Sequence, residues 1–133
     1  MFVITFFGFN SHTYAWSESW TGTWPDQTPC ANDARTVHSA RIDADSVIEL
    51  RYSPSCETTW ARITANYPHE PSVRGLGKAR IVRNSDGRSY ECELRGGQSV
   101  CWTLQENDHN VTSYAWGLHD DGSYFSEART ASY

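Results

Sequence analysis

Residues 78–104 read KARIVRNSDGRSYECELRGGQSVCWTL. Asp86-Gly87 is the dipeptide favoured in a two-residue hairpin turn, because both central positions of that turn need positive φ. On either side of it, short runs rich in β-branched and aromatic residues point to strands over about 78–84 and 88–95. Gly96-Gly97 marks the next turn and a third strand over about 98–104. Two registers fit that turn. A two-residue turn sets Cys92 opposite Cys101, within disulfide reach. A three-residue loop sets Leu94 against Val100 and Cys92 against Trp102, giving a clean apolar face and no bridge within the hairpin.

The same signals recur outward from this stretch. Strands are expected over 36–42 and 46–52, with Ile48, Leu50 and Tyr52 on one side, and a last pair over 111–118 and 123–131 flanks Asp121-Gly122. Tyr14, Trp16, Trp20 and Trp24 alternate with small residues, which predicts a strand over 12–24 that Pro25 ends. Thr28-Pro29 and Ser53-Pro54 each look like a cap followed by proline at the first helical position, so 28–35 and 53–63 are expected as short helical turns, the second placing Cys56, Trp60 and Ile63 on one face. Residues 67–77 are the longest expected loop. The fold class is all-β: residues 1–133 as a single-domain antiparallel β-sandwich or flattened barrel with one or two short helical turns.

Composition narrows the function classes. The chain has 133 residues, 11 Lys+Arg against 16 Asp+Glu, and 18 aromatic residues. An acidic chain with one Lys offers no phosphate-binding surface, so nucleic acid is not an expected partner. No apolar run approaches the ~20 residues of a transmembrane helix. The cysteines Cys30, Cys56, Cys92 and Cys101 are even in number, with no Cys-x-x-Cys spacing, and fit two disulfides of an exported protein better than zinc. Met1–Phe9 lacks the basic start and small-residue exit of a signal peptide, so export is expected through a segment already removed or by another route.

Residues 30–37 (CANDARTV), 48–56 (IELRYSPSC) and 60–63 (WARI) resemble the YjfA-like proteins, a family of small secreted bacterial domains of unknown function common in actinobacteria. The resemblance implies a secreted or cell-surface bacterial protein and a Cys30–Cys56 disulfide, which would stabilise by about 3–4 kcal/mol in the chain-entropy account. It brings no activity, cofactor or catalytic residue. The chain departs from the family at Trp20–Pro25, where cysteines are usual, and in its Phe-rich start.

Catalytic constellations are weak. No Gly-x-Ser-x-Gly elbow occurs and no free thiol is expected, so no catalytic residue is assigned. Asp43/Asp45, Glu91/Glu93 and Asp120/Asp121 read as turn or solvated residues, and Asp108, His109, His119, Asp120 and Asp121 lack calcium-loop spacing; neither a metal nor a cofactor is expected. Arg51 and Arg62 beside Trp60 read chiefly as a latch between strand 46–52 and the Cys56 turn, and secondarily as ligand-binding arginines.

Three function classes remain. The first expectation is a non-catalytic extracellular assembly subunit. Phe2, Ile4, Phe6, Phe7 and Phe9 make residues 1–9 apolar on both faces, suited to insertion into a second copy or another extracellular subunit. The second is a lectin-like module binding cell-wall or other polysaccharide through Tyr14, Trp16, Trp20, Trp24, Tyr114 and Trp116. Its bland counterpart is that these aromatics fill the core, since Leu, Ile and Val number only 17. The third is a secreted enzyme inhibitor using the 67–77 loop.

Overall fold

A computed structural model describes residues 20–66, 77–122 and 124–133. Nine strands form two antiparallel sheets: β1 (Arg35–Asp43), β2 (Ser46–Ser53), β3 (Thr58–Ala65), β4 (Gly77–Arg83), β5 (Ser89–Leu94), β6 (Val100–Trp102), β7 (Glu106–Asn107), β8 (Ser113–Asp120) and β9 (Phe125–Arg129). The first sheet runs β1-β2-β3-β6, with β7 also on β3; the second runs β5-β4-β8-β9. They pack as a two-layer sandwich, with no closed barrel among the described residues. Short 3-10 turns at Pro25–Gln27 and Pro29–Asp33 precede β1. Residues 1–9, expected as an assembly strand, and Tyr14 and Trp16 lie outside the described residues, as does the expected 67–77 loop apart from Gly77.

The interior follows from register. Leu50 pairs with Ala61 and Ile48 with Ile63, both pointing inward, while Glu49 opposes Arg62 and Arg51 opposes Trp60 on the outer face. From the second sheet come Ala79, Ile81, Leu94 and Ala115, all fully buried. Among the described residues, aromatics do not fill this core: Tyr90 packs against its margin, but Trp60, Trp102, Tyr114 and Trp116 sit on outward-facing positions. The reason is separation. A Cβ built on Gly117 would lie 2.6 Å from Ile42 Cδ1 and 2.8 Å from Ile48 Cβ. Sheets this close accept alanine and branched aliphatics, not indoles.

Three local expectations are corrected. Residues 58–65 form a strand rather than the end of a helical turn; the Pro54–Glu57 turn reverses the chain, with Glu57 at positive φ, and the ladder with β2 runs without a shift from Ser53↔Thr58 to Ser46↔Ala65. Its period of two was hidden because Trp60 is covered on the outer face as well. Trp20–Trp24, the described part of the expected 12–24 strand, is a turn: Gly22 takes φ 78°, and both the Thr23 amide and its hydroxyl donate to the Trp20 carbonyl. Finally, β5 and β6 do not pair with each other. Gly96-Gly97 carries the chain from the second sheet to the first, where β6 pairs with β3. Cys92 and Cys101 are nonetheless bonded, and their bridge joins the two sheets.

Gly117→Ala must overpack the sheet interface. We expect a loss of about 1–3 kcal/mol, read as a lower urea midpoint with an unchanged m-value.

Candidate functional site

Residues 20–33 cross the outer face of the first sheet as a strap held at three places. Cys30 is bonded to Cys56 in the β2–β3 turn. The Asp33 carboxylate accepts from the Ser53 hydroxyl at 2.7 Å and the Ser55 amide at 2.8 Å; burial pushes this carboxyl up, and those hydrogen bonds outweigh it, holding it below its usual range. The Gln105 backbone exchanges hydrogen bonds with Gly22 and Thr23, and its buried side chain accepts from Thr58 and donates to Thr23 and Thr28. Proline at the start of each 3-10 turn and the Thr28 oxygen accepting from the Cys30 amide shape the strap locally.

Between strap and sheet lies a pocket of about 140 Å³. Arg51, Trp60, Arg62 and Trp102 form its floor and one wall; Pro25, Asp26, Ala31 and Ala34 of the strap form the other. The floor follows from strand alternation, since Trp60 opposes Arg51 and Arg62 lies between Glu49 and Trp102. Trp60 is only 4% exposed despite facing outward, because the strap covers it.

Charge on this floor is organised around one carboxylate. Arg62 Nε donates to Glu49 at 2.8 Å, the Thr36 hydroxyl donates to Glu49 at 3.0 Å, and Arg51 Nη1 donates to Thr36 at 2.9 Å. Burial pushes the Glu49 carboxyl up, but Arg62 first and Thr36 next pull it below its usual range. Arg51 is served less well. Its Nε is buried without a hydrogen-bond partner. Burial, then the positive charge of Arg62, weaken its hold on its proton more than Glu49 restores it. The expected latch to the Cys56 turn is thus replaced by other ties: Arg51 bonds Thr36 of β1 and Arg62 bonds Glu49 of β2, and both line the cavity.

The other sequence candidates are dispersed. Trp20 and Trp24 belong to the strap's turn, and Trp24 is 41% exposed. Tyr114 and Trp116 stand on the outer face of the second sheet, each under a guanidinium: Arg129 lies 3.8 Å from the Tyr114 ring centre and Arg80 4.9 Å from that of Trp116, whose indole N–H donates to Glu127. These four residues form no single stripe. Cys30–Cys56 and Cys92–Cys101 are both disulfides. His119 is fully buried and its Nδ1 lies 2.6 Å from Asp43. Among the described residues no three His, Cys, Asp or Glu side chains gather as metal ligands, and no helix is long and apolar enough to cross a membrane. What sequence reasoning missed is Trp102 and the strap's contribution; Trp102 could be placed beside Arg62 only once β6 was known to pair with β3.

Residues 18–129 match the family described as "Protein of unknown function (DUF2690)". The chain belongs to this family. It is 32% identical over 130 residues to the "Uncharacterized protein YjfA" of Bacillus subtilis (strain 168), an alignment covering 88% of this chain and 82% of that protein. No solved structure matches the chain. Within the DUF2690 region fall the strap residues from Trp20 onward, all four cysteines and all eight residues lining the pocket.

Away from the pocket, Asp108 is 8% exposed, and its amide donates to the Glu57 carbonyl. Burial, with the neighbouring Glu57 charge adding, pushes its carboxyl up to about 7. The unfolded chain releases that proton near pH 4, so between about pH 4 and pH 7 the folded state holds more protons, and stability falls as pH rises through that window. Asp108→Asn removes this slope. Urea midpoints of variant and parent, compared at pH 4 and pH 8, should show the variant gaining on the parent at the higher pH.

Proposed function

We propose that this protein is an exported, non-catalytic binding domain whose ligand sits under the strap on the outer face of the first sheet. The observation that carries this reading is the pocket itself: two arginines and two tryptophans converge there, and one buried guanidinium N–H is left without a partner. Small-molecule sites join apolar walls to a few placed polar groups in this way. Two disulfides support export, because such bonds persist in oxidising compartments. Cys30–Cys56 also fastens the strap to the first sheet, so the site is held in shape before a ligand arrives. No role in this reading needs a nucleophile or an acid–base pair.

The test is a titration of ¹⁵N-labelled protein with soluble cell-wall oligosaccharides and a panel of small sugars and organic acids, following the indole N–H signals. Movement of Trp60 and Trp102, abolished in Trp102→Ala, is the expected outcome. Movement of Trp116 alone would place binding on the second sheet and favour the polysaccharide platform, for which Tyr114 and Trp116 are the described candidates.

A second reading is favoured by the Phe-rich start. Phe2, Ile4, Phe6, Phe7 and Phe9 would bury several hundred Å² of apolar surface at ~25 cal/mol per Å² if they joined another copy or another extracellular subunit. Light scattering on intact protein and on protein lacking residues 1–9 tests this: an assembly that becomes monomeric on truncation supports it, whereas monomers in both cases, or a truncated protein that unfolds, reject it.

A further inference from the structure

We infer that the pocket takes a monocarboxylate whose body presents an apolar ring face, with the carboxylate held by Arg51 and Arg62 and the ring set against Trp60 and Trp102. This inference rests on the binding reading above and adds the ligand's charge and shape.

Two guanidiniums share one carboxylate, Glu49, and the share is unequal: Arg62 donates to it directly, while Arg51 reaches it only through the Thr36 hydroxyl. Arg51 Nε is buried with no acceptor. A buried donor without a partner costs more than the same donor bonded, and a planar guanidinium offers paired N–H groups that match a carboxylate's two oxygens. Nε itself is sealed from the pocket, so a ligand oxygen would meet the outer nitrogens of the guanidinium and counter the positive charge that Glu49 offsets only in part.

The walls set the rest. The pocket, about 140 Å³, holds roughly ten times the space that one ordered water requires, enough for a small ring. Its sides are indole, proline and alanine, which suit the C–H face of a sugar or an aromatic ring. It opens on a sheet face rather than a strand edge, so it offers no ladder to an extended peptide. A polyanion fits poorly. Asp26, exposed and lining the strap side, would repel a second negative group, and the chain as a whole carries a net charge of −5.

The experiment uses the full chain with both disulfides. D-Glucuronate and benzoate are titrated against their neutral counterparts, methyl glucoside and benzamide, following the Arg51 Nε–H and the Trp60 and Trp102 indole N–H signals. Glucuronate is tested both free and as the terminal sugar of a neutral oligosaccharide, so that a soluble acid and a glycan end are told apart. We expect an acid to move all three signals and to bind at least about tenfold more tightly than its neutral counterpart, the difference that one charge-assisted hydrogen bond provides. Arg51→Gln should lose that preference, and Asp26→Asn should strengthen it. The neutral counterparts keep the test independent of whether Arg51→Gln folds. Equal binding of acid and neutral ligand at Trp60 and Trp102 would overturn the carboxylate while leaving the pocket as the site. Acid binding that moves Trp116 but neither Trp60 nor Trp102 would overturn both. No movement with any of the five probes would overturn the inference.

Discussion

Gly117 sits where a methyl group would strike Ile42 and Ile48, and Ala61, Ala79 and Ala115 are completely buried on either side of the same interface. This close approach decides where every large side chain can go. With the interior closed to indoles, Trp60, Trp102, Tyr114 and Trp116 are placed on the outer faces. An aromatic on an outer face needs other cover. On the second sheet arginines provide it, Arg80 over Trp116 and Arg129 over Tyr114. On the first sheet the strap provides it for Trp60, and the pocket is the space the strap leaves. The site is thus a product of how thin the core is.

The strap's position rests on chemistry of several kinds acting on one short segment. A covalent bond fixes Cys30, a carboxylate anchors Asp33, and a buried amide at Gln105 holds the earlier turn. None of these groups enters the pocket, and each holds a residue within a few positions of one that does. Rigid support of this kind limits the ordering cost of binding.

Much of the architecture was legible in the sequence. Alternation marked β1, β2, β4, β5, β8 and β9 to within a few residues, and Asp121-Gly122 marked its turn; Asp86-Gly87 lies in a turn as well, but as the end of a four-residue loop, 84–87, in which only Gly87 takes positive φ, rather than as a two-residue hairpin. The errors have physical causes. β3 was misread because a strand covered on both faces loses its alternation, and a proline cap looks the same before a turn as before a helix. The route through Gly96-Gly97 was misread because a glycine pair serves a hairpin and a crossing between sheets equally well. The cysteines there constrained distance without saying which sheet each belonged to. For the site, Arg51, Trp60 and Arg62 were visible as neighbours. Trp102 was not, since it reaches them through a pairing of residues some forty positions apart in the chain, and nothing local announces such a contact.

The bridge between Cys92 and Cys101 ties β5 to β6 along one side of the sandwich, while on the other side β1 and β9 meet with no covalent bond. The sandwich is bound like a book, on one side. Among the described residues, the covalent tie between the layers thus lies at β5 and β6, and none lies at β1 and β9. Cys30–Cys56 fixes the strap to the first sheet, so the strap and the sheet face it covers belong to the same leaf. The pocket is thereby built within one leaf, independent of the bond that joins the two.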